Sequence, residues 1–152
     1  MNKQQRKQAL FGHHLVMTNI SMFHLLLPIV AFSTAYTKEI ISLSLLISLS
    51  FALFIFKGSR NKTSSEFVST HWKMAWLRTR YLLLSYLLST SIMSFAWLIT
   101  LVQTDPQMKK ILLTTFIPIA IVPTLLTVIL VLVLQTMTIS RAKQGLIPNN
   151  KI

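Results

Sequence analysis

The chain contains no cysteine, so it can form no disulfide, thiolate metal site or dithiol redox centre. Only three acidic residues occur in 152 positions. Glu39, Glu66 and Asp105 fall in separate polar segments, which leaves carboxylate-based hydrolysis or glycosyl transfer without a pair. Glycine is equally scarce at three residues, and this excludes a Gly-rich phosphate loop. Serines are plentiful, but none sits in a GxSxG context beside an acid–base set. Together these absences argue against an enzyme, and no cofactor is expected.

Apolar residues, by contrast, make up 53% of the chain, charged residues only 12%, and the mean hydropathy is +0.61. A hydrocarbon core about 30 Å thick is crossed by a helix of roughly 20 apolar residues. Four stretches qualify: 15–36, 40–56, 81–102 and 111–137, none of which contains Lys, Arg, Asp or Glu. Apolar residues run on continuously instead of alternating in short strands, so the spans are helical. The expected fold is an all-α, polytopic membrane protein. Its four transmembrane helices form a small bundle of two hairpins within a single integral membrane domain. The short connections 37–39 and 103–110 force neighbouring helices to be antiparallel. Asp105-Pro106 supports a turn in the second of them.

Charge sets the expected orientation, because basic residues are retained on the cytoplasmic side during insertion. The net charge is +12. Twelve of the 15 basic residues lie in the N-terminal arm (Lys3, Arg6, Lys7), in the central loop 57–80 (Lys57, Arg60, Lys62, Lys73, Arg78, Arg80) and in the tail (Arg141, Lys143, Lys151). Lys38, Lys109 and Lys110 remain for the other side. Both termini are therefore expected in the cytoplasm and the chain in the cell inner membrane. The basic start and the small residues Ser33 and Ala35 have the outline of a cleavable signal. However, Asn19 and His24 interrupt its apolar region, and the whole stretch is long enough to span.

The central segment 57–80 reads as a cytoplasmic or interfacial loop. Within it, Thr63 followed by Glu66 fits a capping box, and an amphipathic pattern starts at Phe67. Phe67, Val68, His71, Met74 and Ala75 share one face, with Trp72 and Trp76 at its edge. Lys73 and Arg80 point the other way, whereas Arg78 falls on the apolar side and breaks the stripe. The expected role is docking on anionic headgroups in the membrane plane, through Phe67, His71, Trp72, Lys73, Trp76, Arg78 and Arg80. The competing reading is an extension of the third helix that meets a partner. Basic residues split among three membrane-flanking segments give no reason to expect nucleic-acid binding.

Other residues point to chemistry more weakly. His24 lies near the middle of the first span. Pro28, four residues on, frees its carbonyl, and Asn19 adds a second polar group. That trio is a candidate intramembrane polar site or an interhelical hydrogen bond to a serine. His13, His14, Met17, Met22 and His24 suggest copper or haem by type, but His13 and His24 sit about 16 Å apart along a straight helix. Ser44/Ser48, Ser85/Ser89 and Thr90/Ser94 have the i, i+4 spacing of close helix contacts. Pro118 and Pro123 mark a candidate bend in the fourth span. The reading that follows is a noncatalytic accessory or assembly subunit with a membrane-protein partner, or a homo-oligomer. The alternatives are a small transporter or channel running past His24 and the bent fourth helix, and a holin-like pore former.

Overall fold

Three of the four apolar stretches lie inside a helix longer than themselves, and the first, 15–36, runs four residues past the end of its helix. The computed structural model describes residues 2–61 and 65–147. Among these, four helices are long and apolar enough to cross a membrane, and there is no strand. We label them α1 (Lys3–Phe32), α2 (Thr37–Ser59), α3 (Glu66–Val102) and α4 (Pro106–Gln144). In the most apolar windows of α3 and α4 only 17% of residues are buried. Leu46, Leu53, Leu87 and Val102 are among the many large side chains facing outward. Water does not support so much exposed apolar surface, and lipid does. The all-helical, multi-pass reading stands.

Local chemistry sets the helix ends. Asn2 caps α1 by accepting from the Gln4 N–H, while the Gln5 side chain returns to the Asn2 N–H at 3.1 Å. The first hairpin turns earlier than its sequence suggested, at 33–36, and Thr37 already belongs to α2. There the Thr37 hydroxyl donates to the Ala31 carbonyl at 2.9 Å, adding to the Thr34 N–H bond of 3.2 Å that the same carbonyl accepts at the end of α1. At the second hairpin, Asp105 Oδ1 accepts from the Gln107 N–H at 2.9 Å, and Pro106 takes the first helical position. Thr63 of the expected capping box lies outside the described residues. Glu66 is the first residue of α3.

The expected loop at 57–80 is largely helical. α2 runs on to Ser59, and residues 66–80 are the first turns of α3 rather than a separate helix in the membrane plane. Once its amphipathic face has packed in the interior, a continuous helix needs no break at the membrane boundary.

The chain divides into two compact units. One comprises Met1–Thr79 with Val131–Ile152, and it brings together α1, α2, the start of α3 and the end of α4. The other, Arg80–Leu130, is the hairpin made by the remainder of α3 and α4. In this hairpin Ser89 and Thr124 share a hydrogen bond of 2.9 Å, and the Phe95 and Phe116 rings meet edge to face at 6.5 Å. Pro118 and Pro123 lie within α4, which remains helical through both. Thr127 donates to the Pro123 carbonyl at 2.8 Å.

Candidate functional site

The first unit is held by an aromatic wedge and a polar chain, both built on the start of α3. The wedge is Trp72. Its indole Nε1–H donates to the Gln8 carbonyl of α1 at 3.2 Å, and its ring lies 6.2 Å from Phe11 and 6.3 Å from Phe54. The two glycines nearest it make the space. A Cβ on Gly12 would meet the indole at 3.1 Å, and one on Gly58 would lie 2.2 Å from it, which is impossible without displacement. Trp72 therefore seats against the backbones of α1 and α2 together. Trp76, half-buried, meets the Phe56 ring at 4.8 Å with the two planes inclined at 51°.

Beside the wedge runs a polar chain linking α1, α3, α4 and the tail. His13, His71 and Gln135 are fully buried, with Arg78 and Thr138 nearly so. His71 lies 3.2 Å through Nε2 from the Leu146 carbonyl, and 2.9 Å through Nδ1 from His13 Nε2. The other nitrogen of His13, Nδ1, lies 3.0 Å from Gln135 Nε2, which also donates to the His13 carbonyl at 3.0 Å. Arg78 donates to Gln135 Oε1 and to the Thr138 hydroxyl.

Only one assignment of protons satisfies this chain. The Leu146 carbonyl can only accept, so His71 carries its proton on Nε2 and presents a bare Nδ1. His13 must then donate from Nε2, leaving its own Nδ1 to accept from Gln135. A guanidinium only donates, so Arg78 fixes the Gln135 amide with its oxygen toward α3 and its nitrogen toward His13. Every bond points the same way, from Arg78 to the tail. Both rings must be neutral, since an extra proton on either one sets two donors face to face.

The two rings and the guanidinium precede the apolar stretches 15–36 and 81–102. Burial, followed by the His71 ring and the Arg78 charge, pushes His13 well below the ordinary imidazole range. Burial, with a smaller contribution from Arg78, lowers His71 too, against the hydrogen bond to Leu146. Among the described residues no carboxylate takes part in this network, and Arg78 is held by the neutral Gln135 and Thr138. Such burial stabilises only while every donor stays satisfied.

The tail reaches His71 because of Gly145. Its φ of 77° is left-handed. The Gly145 N–H bonds the Ala142 carbonyl at 3.2 Å, and the Leu146 N–H bonds the Arg141 carbonyl at 3.0 Å. This pairing closes α4 and turns the Leu146 carbonyl back toward α3.

The docking set from the sequence is thus divided. His71, Trp72 and Arg78 are interior, whereas Lys73 and Arg80 are exposed. Phe67 is partly covered and lies 4.6 Å from the His71 ring. His13 and Gln135 belong to the polar chain, and neither is part of that docking set. Among the described residues no group of three or more His, Asp or Glu side chains is placed to hold a metal.

The intramembrane trio sits in a π-helical stretch of α1, Asn19–Leu26. There the Leu27 N–H reaches back five residues to Met22. In the same register the Phe23 carbonyl would need the N–H of Pro28, which proline lacks. Ser44 of α2 supplies the missing donor at 2.7 Å. The serine contact expected near His24 therefore falls on the carbonyl of Phe23. His24 donates from Nδ1 to the Asn19 carbonyl at 3.1 Å, and Asn19 is buried.

No protein-family model, curated protein or solved structure matches this chain.

Proposed function

We infer that the chain is a noncatalytic subunit of an inner-membrane complex, held together by its polar interior and docking through its basic end. The observation that carries this reading is the closure of the Arg78–Gln135–His13–His71–Leu146 chain. Its members spend their hydrogen bonds on one another. One end is a guanidinium, which does not give up its proton, and the other is a backbone carbonyl, which does not take one. The chain is therefore poorly suited to conduct protons and well suited to tie three helices together.

The docking surface follows from the same packing. Trp72 meets Gln8, Gly12 and Gly58, while His71 meets Leu146, so the start of α1, end of α2, start of α3 and end of α4 lie together. Lys3, Arg6, Lys7, Lys57, Arg60, Lys73, Arg141 and Lys143 belong to those segments and are exposed. Glu66 is the acidic residue among them. Retention of cations during insertion puts this end, with both termini, in the cytoplasm. It suits an acidic segment of a membrane-protein partner, seated beside anionic headgroups.

The test is native mass spectrometry of the tagged chain extracted in mild detergent. The expected result is a complex of fixed stoichiometry that dissociates when Lys3, Lys7 and Lys143 are changed to Gln. A solitary monomer in both forms contradicts the reading. A second reading, a small transporter, draws on the π-helical stretch, since such bulges gather at functional sites. Flux into liposomes that is abolished by His24→Ala would favour it.

A further inference from the structure

We propose that the His13–His71 pair is a proton-operated latch, closed when both rings are neutral and opened by acid, that holds α1 and the C-terminal tail onto α3. Its members come from separate parts of the chain: His13 from α1, His71 and Arg78 from α3, Gln135 and Thr138 from α4, and Leu146 from the tail. Hence the bonds that a proton would break are the bonds that join the elements.

Arrival of one proton has no local remedy. On His13 Nδ1 it faces the Gln135 amide nitrogen. Turning that amide over would then set its N–H groups against Arg78. On His71 Nδ1 the proton faces the N–H of His13, which must pass its own proton to Nδ1 and meet Gln135 in the same way. In either case a donor is left against a donor and a second cation is enclosed with Arg78. Separation of the rings relieves both penalties, because each charged ring then reaches water.

The charged and titratable groups acting on the pair are Arg78 on α3 and His14 on α1. Gln135, Thr138 and the tail carbonyl are neutral, and α2 packs instead on Trp72, through Phe54 and Gly58. Among the described residues no carboxylate is placed to compensate a charged ring. The open state binds protons with an ordinary imidazole affinity, near pH 6.5, and the closed state does so only at lower pH. The closed form is therefore favoured above about pH 6.5 and loses ground as the pH falls below it.

Trp72, next to His71 and wedged between α1 and α2, reports the opening. In a Trp76→Phe, Trp97→Phe background, the full-length protein in nanodiscs is titrated from pH 8 to 5 while iodide quenching of Trp72 is followed. The latch predicts reversible exposure of Trp72 at acid pH. It also predicts loss of the response when His13→Gln and His71→Gln are combined, since glutamine can donate and accept at each site but takes no proton. If that variant does not fold, 15N spectra of the imidazoles in the unaltered protein decide, and proton uptake by the pair must coincide with the Trp72 transition. A Trp72 that stays protected to pH 5, a glutamine variant that opens like its parent, or opening while both rings stay neutral would each overturn the proposal.

Discussion

The Gln135 amide is held by Arg78, which donates to its side-chain oxygen inside the protein. This contact fixes the direction of every hydrogen bond beyond it. Gln135→Leu removes an acceptor from a buried charge and a donor from His13 together. A loss of about 3 kcal/mol or more is expected, measured as thermal unfolding in detergent. Gln135→Glu should behave differently. The carboxylate pairs with Arg78 but faces the bare Nδ1 of His13, so His13 takes up a proton at neutral pH. Imidazole 15N shifts would show it, and a neutral His13 in that variant refutes the arrangement.

The Trp72 wedge makes a graded prediction. Gly58→Ala places a methyl group 2.2 Å from the indole, whereas Gly12→Ala places one at 3.1 Å. Overpacking of this kind costs about 1–3 kcal/mol, and Gly58→Ala should fall at the upper end. The Gly12 variant should cost distinctly less. Pairing Gly58→Ala with Trp72→Leu should recover part of the loss relative to Trp72→Leu alone. Equal effects of the two alanine variants would contradict the packing described.

Much of this was legible beforehand, for physical reasons. Span location depends on composition over some twenty residues, and three of the apolar stretches fall within their helices while the first overruns its helix by the turn 33–36. Helix ends past the membrane are harder to read, because residues 66–80 carry charge and a capping signal whatever their partner. Periodicity gives the residues that share a face but not what covers it, and the other helices cover His71, Trp72 and Arg78. One trace of the true arrangement was visible. Arg78 broke the apolar stripe seven residues after His71, and seven residues return to the same face of a helix. Two polar groups on a face otherwise apolar need polar partners. Gln135 and Thr138, three apart in α4, supply such a pair. The link to His13 crosses 58 residues of chain, and no local pattern records it.

The π-helical turn yields a double-mutant cycle. Ser44→Ala leaves the Phe23 carbonyl without its donor, a loss of about 0.6–1 kcal/mol by analogy with interhelical bonds in membranes. Pro28→Ala restores an N–H within α1, and in that background Ser44→Ala should cost almost nothing. Equal costs in both backgrounds would show that the proline does not create the open carbonyl.

Gly145→Ala tests how the tail is aimed. At a φ of 77° a Cβ costs about 1 kcal/mol, and relaxation of the backbone would carry the Leu146 carbonyl away from His71. The expected result is faster amide exchange at Leu146 and a shift of the His71 ring resonances, with α1 and α2 unaffected.

The most direct test of the buried chain is the tautomeric state of the histidines, read from imidazole 15N shifts at pH 7.5 in selectively labelled protein in nanodiscs. The account predicts a proton on Nε2 and a bare Nδ1 for both His13 and His71. It predicts the opposite tautomer for His24, which donates from Nδ1 to the Asn19 carbonyl. A proton on Nδ1 of either His13 or His71, or a ring of that pair titrating freely near pH 6.5 as in water, would contradict it.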